Sequence, residues 1–188
     1  MPLKVKVTKD MVIDAAFEVA RETGAEKLNA RIVENKLKCS TQPIMYHFAT
    51  IEELKKSAYA KTDWYHTEYL MNVKQDDIML GIGLNYISFP VEEPHLFRFF
   101  FQSGFAIENS LLEIVNSEEL IPIISTMQEA MNLNIEQTKE VFITLALFVH
   151  GYASIIVNNS LEYDEKLIVT HLKRVYAGAI LAIQEENK

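Results

Sequence analysis

Residues 29–54 read NARIVENKLKCSTQPIMYHFATIEEL. The pattern predicts two short helices joined by a tight turn, followed by the start of a third. Asn29 suits an N-cap, because its side-chain oxygen can accept from the free amides of a first turn, and Ile32, Val33 and Leu37 then give one apolar edge. Ser40 is a second start signal. It leaves Thr41, Gln42 and Pro43 in the first turn of a stubby helix, where the donor that proline lacks has no intrahelical partner. Thr50 with Glu53 three residues on forms a capping box that launches a longer helix at Ile51.

These residue types suit contact with a duplex. Thr41 and Gln42 can hydrogen-bond base edges in a major groove, Tyr46 and His47 can donate to phosphate oxygens, and Arg31, Lys36, Lys38, Lys55 and Lys56 can neutralise backbone charge. The same types are common on ordinary surfaces, and most helix-turn-helix units pack cores without touching nucleic acid. On spacing alone, both readings stay open.

The stretch CSTQPIMYHFATIEEL, from Cys39 to Leu54, resembles the recognition-helix signature of TetR/AcrR-type transcriptional regulators, V-S-x-x-x-[LI]-Y-x-H-F-x-S-K-E-E-L, without a gap. The matches are Ser40, Ile44, His47, Phe48, Thr50 in place of Ser, Glu52, Glu53 and Leu54. Met45 stands where the family has a phosphate-contacting tyrosine, Lys38 where it has a turn glycine, and Ile51 where it has a lysine. The resemblance implies an N-terminal three-helix unit that binds double-stranded operator DNA, and a helical remainder that forms a ligand pocket and a dimer interface. Residues 1–50 are then the DNA-binding domain and 51–188 the ligand-binding and dimerisation domain. The candidate DNA contacts are Asn29, Arg31, Ser40, Thr41, Gln42, Met45, Tyr46, His47 and Lys55. Lys38 carries an energetic consequence, since a left-handed turn there would cost about 1 kcal/mol.

Composition sets the outer bounds. A chain of 188 residues with 49% hydrophobic and 23% charged residues is globular and long enough for a sizeable core. Its net charge of -8 is unevenly spread: residues 1–60 hold ten Lys plus Arg against eight Asp plus Glu, and the rest holds eight against eighteen. The acidity belongs to the C-terminal part, which is expected to face away from a duplex. Cys39 is the only cysteine, so no intramolecular disulfide forms and a cytoplasmic setting fits. The start, MPLKVKVTKD, lacks the apolar segment of a secretory signal and reads as a short basic arm.

Every remaining segment reads as helix, giving an all-α fold of about nine helices. The first spans about Lys9 to Thr23 between a Thr8 cap and a Gly24 stop, with Ile13, Ala16, Phe17 and Ala20 on its buried face. The fourth runs from Ile51 through Trp64, Tyr65 and Tyr69 to about Val73 and connects the two halves, with the sharpest functional boundary near Tyr59–Asp63. The fifth covers about Asp77 to Ser88 and stops before Pro90. Pro94 opens a sixth. Ser117 to Met131 makes a seventh that Pro122 bends, Asn134 to Asn158 an eighth, and Asp164 to about Glu185 a ninth. Between Val141 and Leu161 there is no Asp, Glu, Lys or Arg, yet His150, Asn158, Asn159 and the serines interrupt the apolarity, and the residues directly flanking it are the acidic Glu140 and Glu162. A helix in a core or subunit interface is the better reading than a membrane span.

The last two helices supply small side chains beside branched ones. Gly151, Ser154, Ile155, Leu172, Val175, Ala179 and Ile183 are the candidate face of a homodimeric four-helix bundle, with packing inside one protomer as the alternative. Dimerisation would place two reading helices about 34 to 36 Å apart, one helical turn of DNA. Trp64, Tyr86, Phe97, Phe101, Phe105, Met127, Phe142 and His150 are the candidate lining for an apolar small-molecule effector of unknown identity, with Asn85, Gln102 or His150 orienting it. Aromatics at helical spacing are also ordinary core residues.

Enzymatic signatures are weak, and neither a catalytic residue, a metal site nor a cofactor is expected. Glu92 with His95 and Asp63 with His66 have the acid–histidine spacing of di-iron bundles, but Pro94 interrupts one, Asp replaces Glu in the other, and no bridging glutamates stand out. There is no H-E-x-x-H, phosphate loop or G-x-S-x-G. The expectation is a ligand-responsive regulator, most simply a repressor released from its operator. The alternatives are a helical small-molecule-binding protein with little DNA affinity and, more remotely, a di-iron bundle enzyme.

Overall fold

The computed structural model describes residues 7–105 and 110–186, and the arm expected at the N-terminus falls largely outside them. Among the described residues the fold is all-α: α1 (Lys9–Thr23), a 3-10 turn (Ala25–Lys27), α2 (Ala30–Leu37), α3 (Thr41–His47), α4 (Ile51–Met71), α5 (Ile78–Glu92), α6 (Pro94–Gln102), α7 (Leu111–Val115), a second 3-10 turn (Glu118–Leu120), α8 (Ile121–Met131), α9 (Ile135–Asn159) and α10 (Glu165–Glu186). Two compact units result. The first runs to Tyr65 and regains the segment from Glu93 through α6, and the second holds His66–Glu92 with the chain from α7 onward. The chain therefore passes from one unit to the other inside α4 at Tyr65–His66, later than residue 50 and beyond Tyr59–Asp63.

In the first unit α1 is the central brace. Thr8 accepts from the Met11 amide at 3.2 Å, and the helix stops at Gly24, whose φ of 92° lies in the region that glycine favours. Its apolar stripe, Val12, Ala15, Ala16, Phe17, Val19 and Ala20, is buried. Val33 of α2, Ile44 of α3, Phe48 behind it and Leu54 of α4 are buried too. Each such side chain contributes roughly 1.5–3 kcal/mol relative to exposure, which holds the two short helices that propensity alone would not.

One polar cluster in this unit links distant parts of the sequence. Arg21 on α1 donates from Nε to both Glu93 oxygens at 2.9 Å and lies over the Tyr65 ring at 5.3 Å, while the Tyr65 hydroxyl donates to Glu93 Oε1 at 3.0 Å. Arg21 Nη2 also contacts Glu93. The hydrogen bonds to Glu93 outweigh partial burial and push the guanidinium pKa further above its already high value.

In the second unit α9 packs on α5, α8 and α10. Its core has two parts: Leu84, Ile87, Val149, Ile156, Ile168 and Leu172 in one, and Leu70, Met79, Ile123, Met127 and Val141 in the other. The N-terminus of α9 is a full capping box between Asn134 and Gln137. By length and composition α9 could cross a bilayer, but one stripe of it, Val141, Val149, Ala153 and Ile156 included, is buried here among protein side chains.

Three helix limits differ from the sequence reading. The fourth helix ends at Met71 because Asn85 Nδ2 donates to the carbonyls of Tyr69 and Leu70 at 3.1 Å and of Asn72 at 3.2 Å, so the side chain expected to orient a ligand instead closes a helix end. The fifth runs through Pro90 to Glu92. Proline there forfeits one backbone bond, but it lies within the last turn and is buried with Phe89, so tertiary packing carries the helix on. Over the span of the expected seventh helix, Ser117–Met131, the chain forms a 3-10 turn and then α8 with Pro122 in its first turn, and α7, capped by Ser110, precedes that span as a helix the sequence did not announce.

Candidate nucleic-acid interface

The turn between α2 and α3 is closed in the manner of a Schellman motif. Asn29 caps α2 by accepting from the Arg31 and Ile32 amides at 3.1 Å, and its Nδ2 donates to the Lys27 carbonyl, so the whole amide is engaged locally. At the far end Lys38 adopts φ 51°, ψ 41°, and the Cys39 amide bonds the Glu34 carbonyl at 3.2 Å. Lysine thus occupies the left-handed position where glycine is at ease. Lys38→Gly is expected to stabilise the first unit by about 1 kcal/mol, read as a higher urea midpoint in the fluorescence of Trp64.

Ser40 opens α3 without a side-chain cap bond. Ile44 and Phe48 are buried and fix the helix, and the opposite face is open: Gln42 is exposed, Met45 is half exposed and Tyr46 is 83% exposed. His47 does not join them fully, since its Nε2 bonds the Val7 carbonyl at 3.0 Å, an anchor that sequence spacing did not show. Thr50 caps α4 by accepting from the Glu53 amide, and the Glu53 carboxylate accepts from Ala49, one residue earlier than the expected reciprocal bond. Arg31, Lys38 and Lys56 are exposed and form no ion pair among the described residues. Lys36 pairs with Glu22 at 2.6 Å and Lys55 with Glu52 at 3.1 Å, both partners being water-exposed carboxylates that a phosphate can replace.

The residues expected to line an effector site fall in both units. Trp64 is 61% exposed, a surface side chain. Phe97 and Met127 are fully buried packing residues, because each lies on the inward stripe of its helix. Trp64, Phe97, Phe101 and Phe105 belong to the first unit, where the Phe101 ring lies tilted against Phe97 with centroids 4.8 Å apart. Tyr86, Phe142 and His150 belong to the second, with Met127. There the Tyr86 hydroxyl and His150 Nδ1 share a hydrogen bond at 2.9 Å, and His66 lies edge-on to Tyr86 at 5.4 Å and to Phe89 at 4.8 Å. Burial, then the nearby His150, holds the His66 pKa down to about 3, and burial lowers that of His150 and raises that of Tyr86. A cleft of about 480 Å³ opens in the first unit between Gly24–Glu26, Lys55 and the His95–Phe105 stretch, and another of about 220 Å³ in the second between Val115–Ser117, Ile124 and Lys139. Of the residues expected to line the site or orient a ligand, Gln102 and Phe105 border the first cleft.

The residues expected at a dimer face divide between core and surface of the second unit. Leu172 is core, close enough to α5 that a Cβ at Gly83 would stand 3.0 Å from its side chain. Ala179 and Ile183 pack partly on their own unit's core. Of the expected face, Gly151 and Ile155 are exposed, and with Leu147 they stand at successive four-residue steps on α9; Leu167, Gly178 and Leu181 are exposed on α10, with open space beside both glycines. Among the described residues no group of three or more His, Cys, Asp or Glu side chains is placed to hold a metal ion.

No family model matches the sequence, and no curated protein matches it. Solved structures do match the fold. A transcriptional regulator from Rhodococcus sp. Rha1 superposes with a TM-score of 0.69 at 18% identity, over 94% of this chain and 97% of that one. A single-substitution variant of TetR from Acinetobacter baumannii AYE, in complex with minocycline, gives 0.60 at 13% identity, over 97% and 99%. A member of the TetR family from Streptomyces coelicolor A3 gives 0.58 at 16%, over 88% and 96%. Identities this low bear on architecture alone, and on that ground the chain has the all-α fold of the TetR-family regulators.

Proposed function

We propose that this protein is a homodimeric, ligand-responsive DNA-binding transcriptional regulator, a repressor in its simplest form, that a small apolar molecule releases from a double-stranded operator. The observation that carries the reading is the outward face of α3: Gln42, Met45 and Tyr46 stand clear of the core, with Arg31, Lys38 and Lys56 exposed on the neighbouring elements. Dimerisation is supported by the uncovered stripe of Leu147, Gly151, Ile155, Gly178 and Leu181, which two copies can bury as four helices across a two-fold axis. Ligand response is supported by α4, one unbroken helix that begins beside α3 and ends in the second unit, and by the minocycline held by one protein of the same fold. A ligand that binds one orientation of α4 better than another shifts the population by that difference in affinity.

The test is a titration of a labelled duplex at two salt concentrations, read by anisotropy. Affinity is expected to fall at least about tenfold between 50 and 200 mM salt, because each phosphate neutralised by Arg or Lys releases a counterion. Absence of binding in dilute buffer would leave a helical ligand-binding protein without DNA affinity, and binding indifferent to salt would overturn the phosphate contacts assigned to the Arg and Lys side chains.

A further inference from the structure

We infer that α3 reads A·T base pairs, with Gln42 on adenine and Met45 on the 5-methyl group of thymine, so that each operator half-site is A·T at its recognition positions. This rests on the DNA-binding reading above and specifies what that same surface recognises.

The reasoning begins with what the reading face lacks. From Cys39 to Leu54 there is neither lysine nor arginine. Guanine shows two acceptors, O6 and N7, in the major groove, and the side chains that best satisfy both are cationic donors. None is present on α3. Its remaining donors are the hydroxyls of Thr41 and Tyr46, the amide of Gln42, and a His47 ring whose Nε2 is already held by the Val7 carbonyl. A glutamine amide carries one donor edge and one acceptor edge, the complement of adenine N7 and N6.

Met45 completes the pattern. It follows Gln42 by three residues, so the two lie one above the other on the same helix face, and half of its surface meets water in the free protein. A thioether gives no hydrogen to a base edge. The one major-groove feature that rewards its apolar surface is the thymine methyl, which cytosine lacks. The cations lie off the helix, at Arg31, Lys38 and Lys56, where contacts to phosphate hold the duplex without reading it. Discrimination is left to Gln42 and Met45.

The full-length protein would first be used to select duplexes from a randomised library. The enriched duplex is then titrated by anisotropy with each recognition thymine replaced in turn by uracil, which removes only the methyl group. Half-sites with A·T pairs at their recognition positions are expected. Loss of the critical methyl should weaken binding about threefold to fivefold, the equivalent of one buried methyl group. Met45→Ala, a change at the surface, should bind the thymine duplex more weakly and show no further loss on the uracil one. Invariant G·C pairs at those positions, or equal binding of the thymine and uracil duplexes by the unaltered protein, would overturn the inference and leave the regulator reading standing. Failure of every duplex to bind in dilute buffer would remove both.

Discussion

Arg21→Met is expected to cost the first unit about 3 kcal/mol of stability. Glu93 is the reason. Its side chain is 9% exposed, whereas Arg21 is 38% exposed, so the carboxylate has surrendered most of its hydration and the guanidinium has kept much of its own. Removal of the arginine leaves a buried negative charge with the Tyr65 hydroxyl at 3.0 Å as its remaining hydrogen bond in the cluster. Breaking a fully buried pair costs about 3–5 kcal/mol, and the water at the outer edge of Arg21 places this one at the lower end. Methionine keeps an unbranched stem against Tyr65, so the loss reports the charge more than the packing. The double variant Arg21→Met, Glu93→Gln should recover over half of the loss, a coupling that independent sites would not show. Urea unfolding followed by the fluorescence of Trp64, the single tryptophan, reads the same unit. An unshifted midpoint in the single variant would mean that the cluster contributes nothing.

That cluster marks a limit of what sequence could show. Helices were legible wherever a cap and an apolar stripe coincided: Thr8, Asn29 and Asn134 each stand at a helix start, and Gly24 also marks a stop. The two short helices of the reading unit were legible for the same reason. Pairings across long separations were not, because nothing local to Arg21 or Glu93 announces the other, 72 residues away. Likewise, the side chain of Asn85 closes α4 from 13–16 residues on, and His47 finds a backbone carbonyl 40 residues back. Pro90 was read by its local rule as a stop, and burial of the turn that contains it overrode the rule. The five-residue α7 is too short to show a period. In the bundle, Leu172 and Leu181 are both leucines on α10, nine residues apart, and only the placement of α5 and α9 decides that one is core and the other surface. For the aromatics, helical spacing gave a face but not what lay opposite it, which is why Phe97 and Trp64 went to opposite extremes.

The stability of the second unit is expected to fall by about 2 kcal/mol between pH 7 and pH 5, and His66 is the principal cause. The ring is enclosed by Tyr86 and Phe89, and the charged form would have to give up its hydration there beside a second histidine, His150. In the folded state it therefore takes up a proton only near pH 3, against 6.5 for the unmodified group. Between those values the unfolded chain binds more protons than the folded one, so stability is complete above about pH 6.5 and drains as the pH falls toward 3. His150, whose pKa burial also lowers, adds a smaller loss of the same sign. His66→Phe keeps an aromatic ring between Tyr86 and Phe89 and has no proton to gain, so its urea midpoint by far-UV ellipticity should change much less over the same interval. The slope is the informative quantity, because the added ring volume alters absolute stability by an amount common to both pH values. A variant as acid-sensitive as the parent would place the lability elsewhere, in His150 or the acidic surface. If the slope does flatten, the buried imidazole is neutral throughout the physiological range, and the packing of α4 against α5 within this unit is held by an uncharged ring rather than by a charge that small changes of pH could switch.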